Sequence, residues 1–229
     1  MIKQVLELLF GADPELRQII GVTLRMSVLS TLISALIGIP WGVAMGANQF
    51  KGKAILSRIT NTLMGLPPVV AGLIVFLILS RSGPLGKLSL LYSVPAMVIA
   101  QVVLISPIIA GMTSNIVSLR APSINETCAG IGISGWKRLW LTIKECRIPF
   151  VTAVLAGFGR SIAEVGAVQM VGGNIQFKTR VMTTAIMMQT NMGRFELAVA
   201  LGVVLLIISF VINSLVHRVQ EQTQRDRTA

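Results

Sequence analysis

The chain has 229 residues, of which 53% are hydrophobic and 13% are charged, and its mean hydropathy is +0.77. A water-soluble domain of this size would expose far too much apolar surface, so the composition excludes one and indicates an integral membrane protein. The formal charge of +11 does not call for a nucleic-acid partner, because Lys and Arg gather at the helix ends and cytoplasmic loops of membrane proteins.

The N-terminal stretch predicts a short amphipathic helix over residues 2–10, with Ile, Val and Leu side chains along one face. It is too short to cross a bilayer, so we expect residues 1–18 to form an extracytoplasmic interfacial segment. Asp13-Pro14-Glu15 follows and is typical of a helix start, since Asp caps, Pro fits the first turn and Glu favours the positive end of the helix dipole.

About five membrane-spanning helices are predicted, which makes the chain an all-α integral membrane protein with a transmembrane domain over residues 19–216. The spans are predicted over 19–47, 59–80, 94–118, 148–171 and 197–216. A further apolar helix is expected near 181–189, where the stretch is too short to cross the membrane.

Two spans carry residues that shape helix packing. Gly38, Gly42 and Gly46 repeat every four residues in the first span, which lets another helix approach closely. Pro67 and Pro68 remove two backbone donors inside the second span, so this region should be buried in protein or line water.

The distribution of Lys and Arg predicts the orientation. Eleven of them fall in segments 47–58 and 119–147 and in the tail 217–229, whereas seven fall on the other side. This excess places the 119–147 loop and the C-terminal tail in the cytoplasm and the N-terminus outside.

The loop contains Gly130, Gly132 and Gly135 in the dinucleotide-binding spacing G-x-G-x-x-G. That fingerprint requires a preceding buried strand and an acidic residue about 20 positions on. The preceding "APSINETCA" has no strand character, and Glu145 comes too early. We therefore interpret the glycines as helix ends.

Two short helices are expected in this loop instead. Ser123 and Glu126 have the spacing of a capping box, which predicts a helix start near residue 124 that Gly130 or Gly132 would end. Ser134 would cap a second helix running to about residue 147. The apolar face of that second helix consists of Trp136, Leu139, Trp140 and Ile143, and it would seek a partner's groove or the membrane surface.

The stretch "ETCAGIGISGWKRLWLTI" resembles the cytoplasmic E-A-A-x-x-x-G loop of ABC-importer permeases. Glu126, Thr127, Cys128 and Gly132 take the E, A, A and G positions, so two of the four diverge, and the proline that ends the family pattern is missing after Ile143. "NTLMGLPPVVAGL", "GFGRSIAEVGAVQMVGGNI" and "TTAI" resemble the permeases for oxyanions, tungstate most closely and then molybdate and sulfate.

This resemblance covers residues 20–216 and implies a type I importer permease fold, a homodimer in the inner membrane, and alternating access. It also implies an extracytoplasmic oxyanion-binding protein and a separate ATPase docked on the 119–147 loop. The residues that would couple to the ATPase are Glu126, Thr127, Gly132, Trp136, Leu139 and Trp140. Glu126 could hold its helix cap, contact the ATPase, or do both.

The chain has no phosphate-loop motif and is not expected to be an enzyme.

Arg160 and Glu164 lie inside the fourth span at i, i+4 spacing, which lets them pair near the middle of the hydrocarbon core. The pair could lock helix packing or border the translocation path, and the sequence leaves both readings open. For the rest of the path or gate we expect Pro67 and Pro68 and the segment Gly172, Gly173 and Asn174.

The two cysteines and one histidine are too few for a metal site, and no cofactor is expected. An ATP-independent secondary anion transporter is the alternative class, although such carriers usually show an internal repeat that is not seen here. A membrane-embedded enzyme would need a nucleophile and base together, which the spans lack.

Overall fold

The computed structural model describes residues 14–228, and within that range the chain is helical with no strand. The eight α-helices of this part are α1 Pro14–Ala47, α2 Lys53–Met64, α3 Pro68–Leu79, α4 Val94–Gly130, α5 Gly135–Ile162, α6 Gly166–Gly172, α7 Met182–Asn191 and α8 Phe195–Thr228. A single 3₁₀ turn, Gly86–Leu88, lies between α3 and α4.

By length and hydropathy, α1, α4 and the first part of α8 can each cross a membrane alone. The pairs α2–α3 and α5–α6 are long and apolar enough to cross only when each pair is taken as one span, and they are bent by 99° and 60°, respectively. Counting each bent pair as one span gives five crossings for the described residues, as predicted.

Helix α1 begins at Pro14 with Glu15 in its first turn. Residues 14–18 therefore continue directly into the first span, and the proposed interfacial helix over residues 2–10 lies outside the described residues. Helix α7 confirms the short apolar helix expected near 181–189. At the other end, α8 continues past the predicted span end to Thr228.

The glycine ladder of α1 packs against α4, which confirms its predicted role. A Cβ atom added to Gly38 would lie 2.9 Å from the carbonyl oxygen of Ser106, one added to Gly42 2.5 Å from that of Ala110, and one added to Gly46 2.8 Å from that of Ser114. Only glycine allows two helix backbones to approach this closely.

Three predictions for the loop and the fourth span were wrong. No helix begins near residue 124, because α4 runs without interruption to Gly130 and Ser123 lies inside it. The second loop helix does not stop near residue 147, since α5 continues to Ile162. The fourth span is not one straight helix, because it breaks after Ile162.

Packing explains the longer helices. Ala121 of α4 and Cys146 and Phe150 of α5 are buried together with Val43 and Val117, so the two helices support each other beyond the predicted membrane edge. The loop is therefore a helical hairpin, residues 119–147, made of the end of α4, a turn and the start of α5. Ser134 does precede α5, although its side chain makes no capping hydrogen bond.

The glycine ladder generates a prediction about stability. Gly42→Val should lower the free energy of unfolding by about 1–3 kcal/mol, because the added side chain has no room against α4. Gly21→Val is the matched control, since a Cβ atom on Gly21 of the same helix meets nothing within 4 Å. Thermal unfolding of the purified protein in detergent measures both, and equal losses would contradict the packing argument.

Candidate functional site: paired helix breaks and the helical hairpin

The breaks in the two bent spans face each other. A Cβ atom added to Gly166 would lie 2.9 Å from Val69 Cγ2, and one added to Gly72 would lie 2.7 Å from Ala167 Cα. Helix α3 therefore starts beside the start of α6, and small residues allow the contact. The structure brings the Pro67-Pro68 step and the break after Ile162 to one level of the molecule.

Proline sets the first of these breaks. Pro67 caps α3 in an extended conformation with φ −60° and ψ 128°, and Pro68 takes the first helical position. The carbonyl oxygen of Pro67 accepts hydrogen bonds from the N–H groups of Val70 and Ala71, at 3.0 and 3.1 Å. The chain bends there by 99° between α2 and α3. Pro67 is exposed and Pro68 is half-buried, and the expectation that this step is buried in protein or lines water stays a prediction.

Glu164 organises the second break. Its side chain is buried, its Oε2 lies 2.7 Å from Arg160 Nη1, and its Oε1 accepts a hydrogen bond from the Ala167 N–H at 3.1 Å. The carbonyl oxygen of Glu164 accepts a further bond from Thr183 Oγ1 at 2.7 Å. One residue thus pairs with a cation on α5, caps the start of α6 and holds α7.

The predicted pairing of Arg160 with Glu164 is confirmed, but the two side chains differ in environment. Glu164 keeps 2% of its side-chain surface exposed, whereas Arg160 keeps 37%. A partly exposed arginine side chain within a predicted span cannot face lipid cheaply, so this side of α5 requires water or further protein.

The predicted segment Gly172, Gly173 and Asn174 lies at the opposite end of α6 from Glu164. Gly173 ends α6 in the left-handed conformation with φ 72°, and a Cβ atom on it would lie 2.8 Å from the Tyr92 ring. Asn174 Oδ1 accepts a hydrogen bond from Thr184 Oγ1 at 3.0 Å. At about 1.5 Å per residue, α6 separates the segment from the Glu164 break by roughly 10 Å.

A buried polar seam that the sequence analysis missed connects α1 to the second break. Ser30 Oγ lies 3.1 Å from Ser161 Oγ, and Gln101 Nε2 donates to the Ser161 carbonyl oxygen at 3.0 Å. Thr23 Oγ1 accepts a hydrogen bond from the Met182 N–H at 2.9 Å. Ser and Thr recur at helical spacing inside the first span, and this pattern could have predicted the seam.

The helical hairpin lies at the end of the molecule where α1 finishes. Its turn contains Gly132, whose φ of 73° confirms that this glycine serves a chain reversal. Glu126 and Thr127 are exposed near the end of α4. Because Ser123 lies inside the same helix, the prediction that Glu126 holds a helix cap was wrong. The Thr127 hydroxyl donates a hydrogen bond to the Ser123 carbonyl oxygen.

The apolar face predicted for the start of α5 is present and largely uncovered. Trp136 and Trp140 are 76% and 53% exposed, while Leu139 is half-buried. A cavity of about 380 Å³ lies between this face and the end of α1, and its lining residues are Ile39, Pro40, Val43, Ala44, Asn48, Trp136, Leu139 and Ile143. Two large aromatic side chains are thus exposed on one helix face, and exposed Trp is enriched in protein–protein interfaces.

Among the described residues, no group of three or more His, Cys, Asp or Glu side chains could hold a metal ion. The two cysteines, Cys128 and Cys146, are buried and free.

Comparison with known proteins decides the family. The family described as the binding-protein-dependent transport system inner membrane component matches residues 38–225. The chain belongs to this family. Its members named below are permease subunits of transporters, which are not themselves enzymes.

Three relatives are similar over most of their length. The tungstate uptake system permease protein of Peptoclostridium acidaminophilum is 40% identical over 96% of both chains. The corresponding tungstate permease of Campylobacter jejuni is 36% identical, covering 95% of this chain and 91% of the relative. A probable anion ABC transporter permease of Haloferax volcanii is 37% identical over 90% of both chains.

A more distant relative is the sulfate transport system permease protein of Escherichia coli K12, which is 25% identical over 93% of this chain and 77% of its own length.

The Arg160–Glu164 pair generates a prediction for this family member. Glu164→Gln should lower the free energy of unfolding by on the order of 2 kcal/mol, because it leaves Arg160 unpaired. This is less than the roughly 3–5 kcal/mol for a fully buried pair, since Arg160 is partly exposed. The double variant with Arg160→Met should recover part of the loss. A double-mutant cycle of detergent unfolding measures the coupling, and additive losses would show that the pair contributes nothing.

Proposed function

We propose that this chain is the membrane-spanning permease subunit of an ATP-driven importer that moves tungstate into the cell by alternating access. The observation that carries the proposal is the similarity to two tungstate uptake permeases over more than 90% of their length. Molybdate and sulfate are the alternative cargoes, and the more distant sulfate permeases support the second of these.

The exposed Arg160 supports a homodimer. A guanidinium at membrane depth with 37% of its side chain uncovered needs a polar surrounding, and a second copy of the chain around a water-filled path would supply it. We propose that the path runs beside the two helix breaks, with Pro67, Pro68, Arg160 and Glu164 along it. Gly172, Gly173 and Asn174 would form its extracytoplasmic end.

This arrangement suits transient contact with an oxyanion. Arg160 attracts an anion, but Glu164 offsets much of its charge at 2.7 Å, so cargo is held weakly and can leave. Cargo selection then falls mainly to the extracytoplasmic oxyanion-binding protein. The rest of the chain fits around this path, with residues 1–18 as an interfacial segment, 19–216 as the permease domain in membrane lipid, and 217–229 as a cytoplasmic tail.

The helical hairpin would be the docking site for separate ATPase subunits, with Glu126, Thr127, Gly132, Trp136, Leu139 and Trp140 as its coupling residues. ATP binding would draw the two ATPases and the attached hairpins together. Because the hairpin helices are continuous with α4 and α5, movement at the hairpin reaches the breaks without a flexible joint. Binding of the partners would then favour either the inward-facing or the outward-facing state of the permease.

Uptake by cells tests the cargo. Cells lacking this chain should lose tungstate accumulation and regain it with the wild-type gene, and unlabelled tungstate should compete better than molybdate or sulfate. If tungstate accumulation is lost but sulfate competes more strongly than tungstate, the cargo is reassigned to sulfate. If cells lacking the chain accumulate all three oxyanions as before, the proposed function is refuted.

The path role of the ion pair is separable from its packing role. The double variant Arg160→Met/Glu164→Gln has no unpaired charge and should remain folded, yet its tungstate uptake should fall by about tenfold or more, which corresponds to about 1.4 kcal/mol. Uptake is normalised to membrane abundance. Wild-type uptake by this variant would assign the pair to packing alone.

The docking role of the hairpin predicts the effect of its tryptophans. Trp136→Ala and Trp140→Ala should each weaken ATPase co-purification, by about 2 kcal/mol if each is an interface anchor. Phe210→Ala is a control at another strongly exposed aromatic, on α8. Retention of the ATPase by the Trp136→Ala/Trp140→Ala double variant would place its binding site elsewhere.

A further inference from the structure

Each helix of the hairpin contains a proline where the hairpin joins the rest of the bundle. Pro122 lies inside α4 and Pro149 lies inside α5. Proline has no N–H, so it cannot bond to the carbonyl oxygen four residues earlier, and helices bend most readily at such positions. The carbonyl oxygens that lose their helical donor are those of Ser118 and Glu145.

The two prolines lie at one level of the molecule, which we call the base of the hairpin, residues 118–122 and 145–150. A buried apolar cluster holds α4 and α5 side by side at this level, and its members are Val43, Val117, Ala121, Cys146 and Phe150. Two helices that each lack a backbone hydrogen bond at the same level form a hinge, because little resists bending there.

One side chain crosses this hinge. Arg120 Nη1 of α4 donates a hydrogen bond to the Glu145 carbonyl oxygen of α5 at 2.6 Å. This is the carbonyl group that Pro149 leaves without its helical donor. The bond is charge-assisted, which makes it about twice as strong as one between neutral groups. Arg120 therefore replaces the missing bond of α5 and ties α5 to α4.

The tie lies where the structure borders water. Arg120 is half-buried and the Glu145 side chain is exposed. If the arginine were removed, water could bond to the Glu145 carbonyl oxygen, so the loss in folding stability would be small. The mechanical connection between the two helices would still be lost, because water does not link α4 to α5.

We infer that Arg120 is a positioning residue, which stiffens the base of the hairpin through the Glu145 carbonyl group and so couples movement of the ATPase to the helix breaks. The inference rests on the proposed function and adds a residue outside the predicted coupling set. With Arg120 in place, α4 and α5 carry movement through the base together. Without it, the hairpin bends at Pro122 and Pro149, and the movement is absorbed there.

A simpler role for Arg120 is that of one more cation on the cytoplasmic side, where Lys and Arg are enriched. That role requires only a positive charge near the membrane surface. It requires neither the Glu145 carbonyl group nor a proline four residues after Glu145, and this difference makes the two roles separable by experiment.

The experiment compares transport with ATP hydrolysis in the complete transporter. The chain and its ATPase are reconstituted in liposomes with the oxyanion-binding protein, and tungstate uptake and ATP hydrolysis are measured together. Arg120→Met, which has no donor, should lower the tungstate moved per ATP hydrolysed by about fivefold or more, as expected for one lost charge-assisted hydrogen bond. ATPase co-purification and the thermal midpoint should stay near those of the wild type.

Pro149→Ala provides the rescue. It returns an N–H to position 149, which can bond to the Glu145 carbonyl oxygen within α5 and stiffen that helix without Arg120. The double variant Arg120→Met/Pro149→Ala should therefore transport within about twofold of Pro149→Ala alone. A lost positive charge would not be restored by this uncharged substitution in the other helix.

Arg147→Met is the matched control, because Arg147 is an exposed arginine of α5 at the same level. It removes the same charge and should leave the tungstate moved per ATP within about twofold of wild type. Arg120→Lys retains N–H donors and should keep more transport than Arg120→Met. This comparison keeps the test open if Pro149→Ala does not fold or does not transport.

The outcomes separate the two proposals. If the wild-type chain binds no ATPase or moves no oxyanion, the proposed function fails. If it transports, but Arg120→Met moves as much tungstate per ATP, the inference about Arg120 fails while the proposed function stands. The inference is also overturned by an equal loss in Arg147→Met, by an equal loss in Arg120→Lys and Arg120→Met, or by absence of rescue in an active Pro149→Ala background. Loss of ATPase co-purification with Arg120→Met would reassign Arg120 to docking.

Discussion

The architecture depends on satisfying backbone polar groups where helices break inside a membrane. An N–H or C=O group without a partner is costly in hydrocarbon, so a broken span is stable only if something nearby replaces the lost helical hydrogen bonds. At the second break Glu164 replaces these bonds. Its carboxylate accepts a hydrogen bond from the Ala167 N–H, and its carbonyl oxygen accepts one from the Thr183 hydroxyl. A buried carboxylate needs a counter-charge in turn, and Arg160 at 2.7 Å provides it.

The surrounding helices make this arrangement possible. Glycines of α1 let α4 pack at backbone contact, and the polar seam joins α1 and α4 to Ser161, three residues before Glu164. Apolar packing alone gives little preference between helices in lipid, since lipid tails are as apolar as the side chains. Small residues and buried hydrogen bonds therefore set which helices meet, and they fix the position of the break.

The molecule presents different surfaces at its two ends. The helical hairpin carries exposed tryptophans on helices that continue into the membrane, which suits the transmission of movement. At the other end, loop 173–181 is held by the hydrogen bonds of Thr179 and by the Arg180–Glu15 ion pair. The helix breaks lie between these ends, and α4 and α5 continue from the hairpin into the bundle that contains the breaks.

The sequence alone indicated that the chain lies in a membrane, how many times it crosses, and which residues of the candidate site lie together. Hydropathy is a local property, so it located the spans. The i, i+4 spacing predicted the Arg160–Glu164 contact, and the glycine repeat predicted close helix packing. Pro67 and Pro68 marked a loss of two backbone donors, because proline lacks an N–H wherever it occurs. Only the tertiary structure decided how far α4 and α5 extend, because their support comes from burial of Ala121, Cys146 and Phe150 against α1. The break after Ile162 also required it, since no proline marks that position and the Thr183 side chain that bonds to the Glu164 carbonyl oxygen comes from α7. Long-range partners of this kind are invisible to any local pattern, and they are the reason that the break and the polar seam appear only in the folded chain.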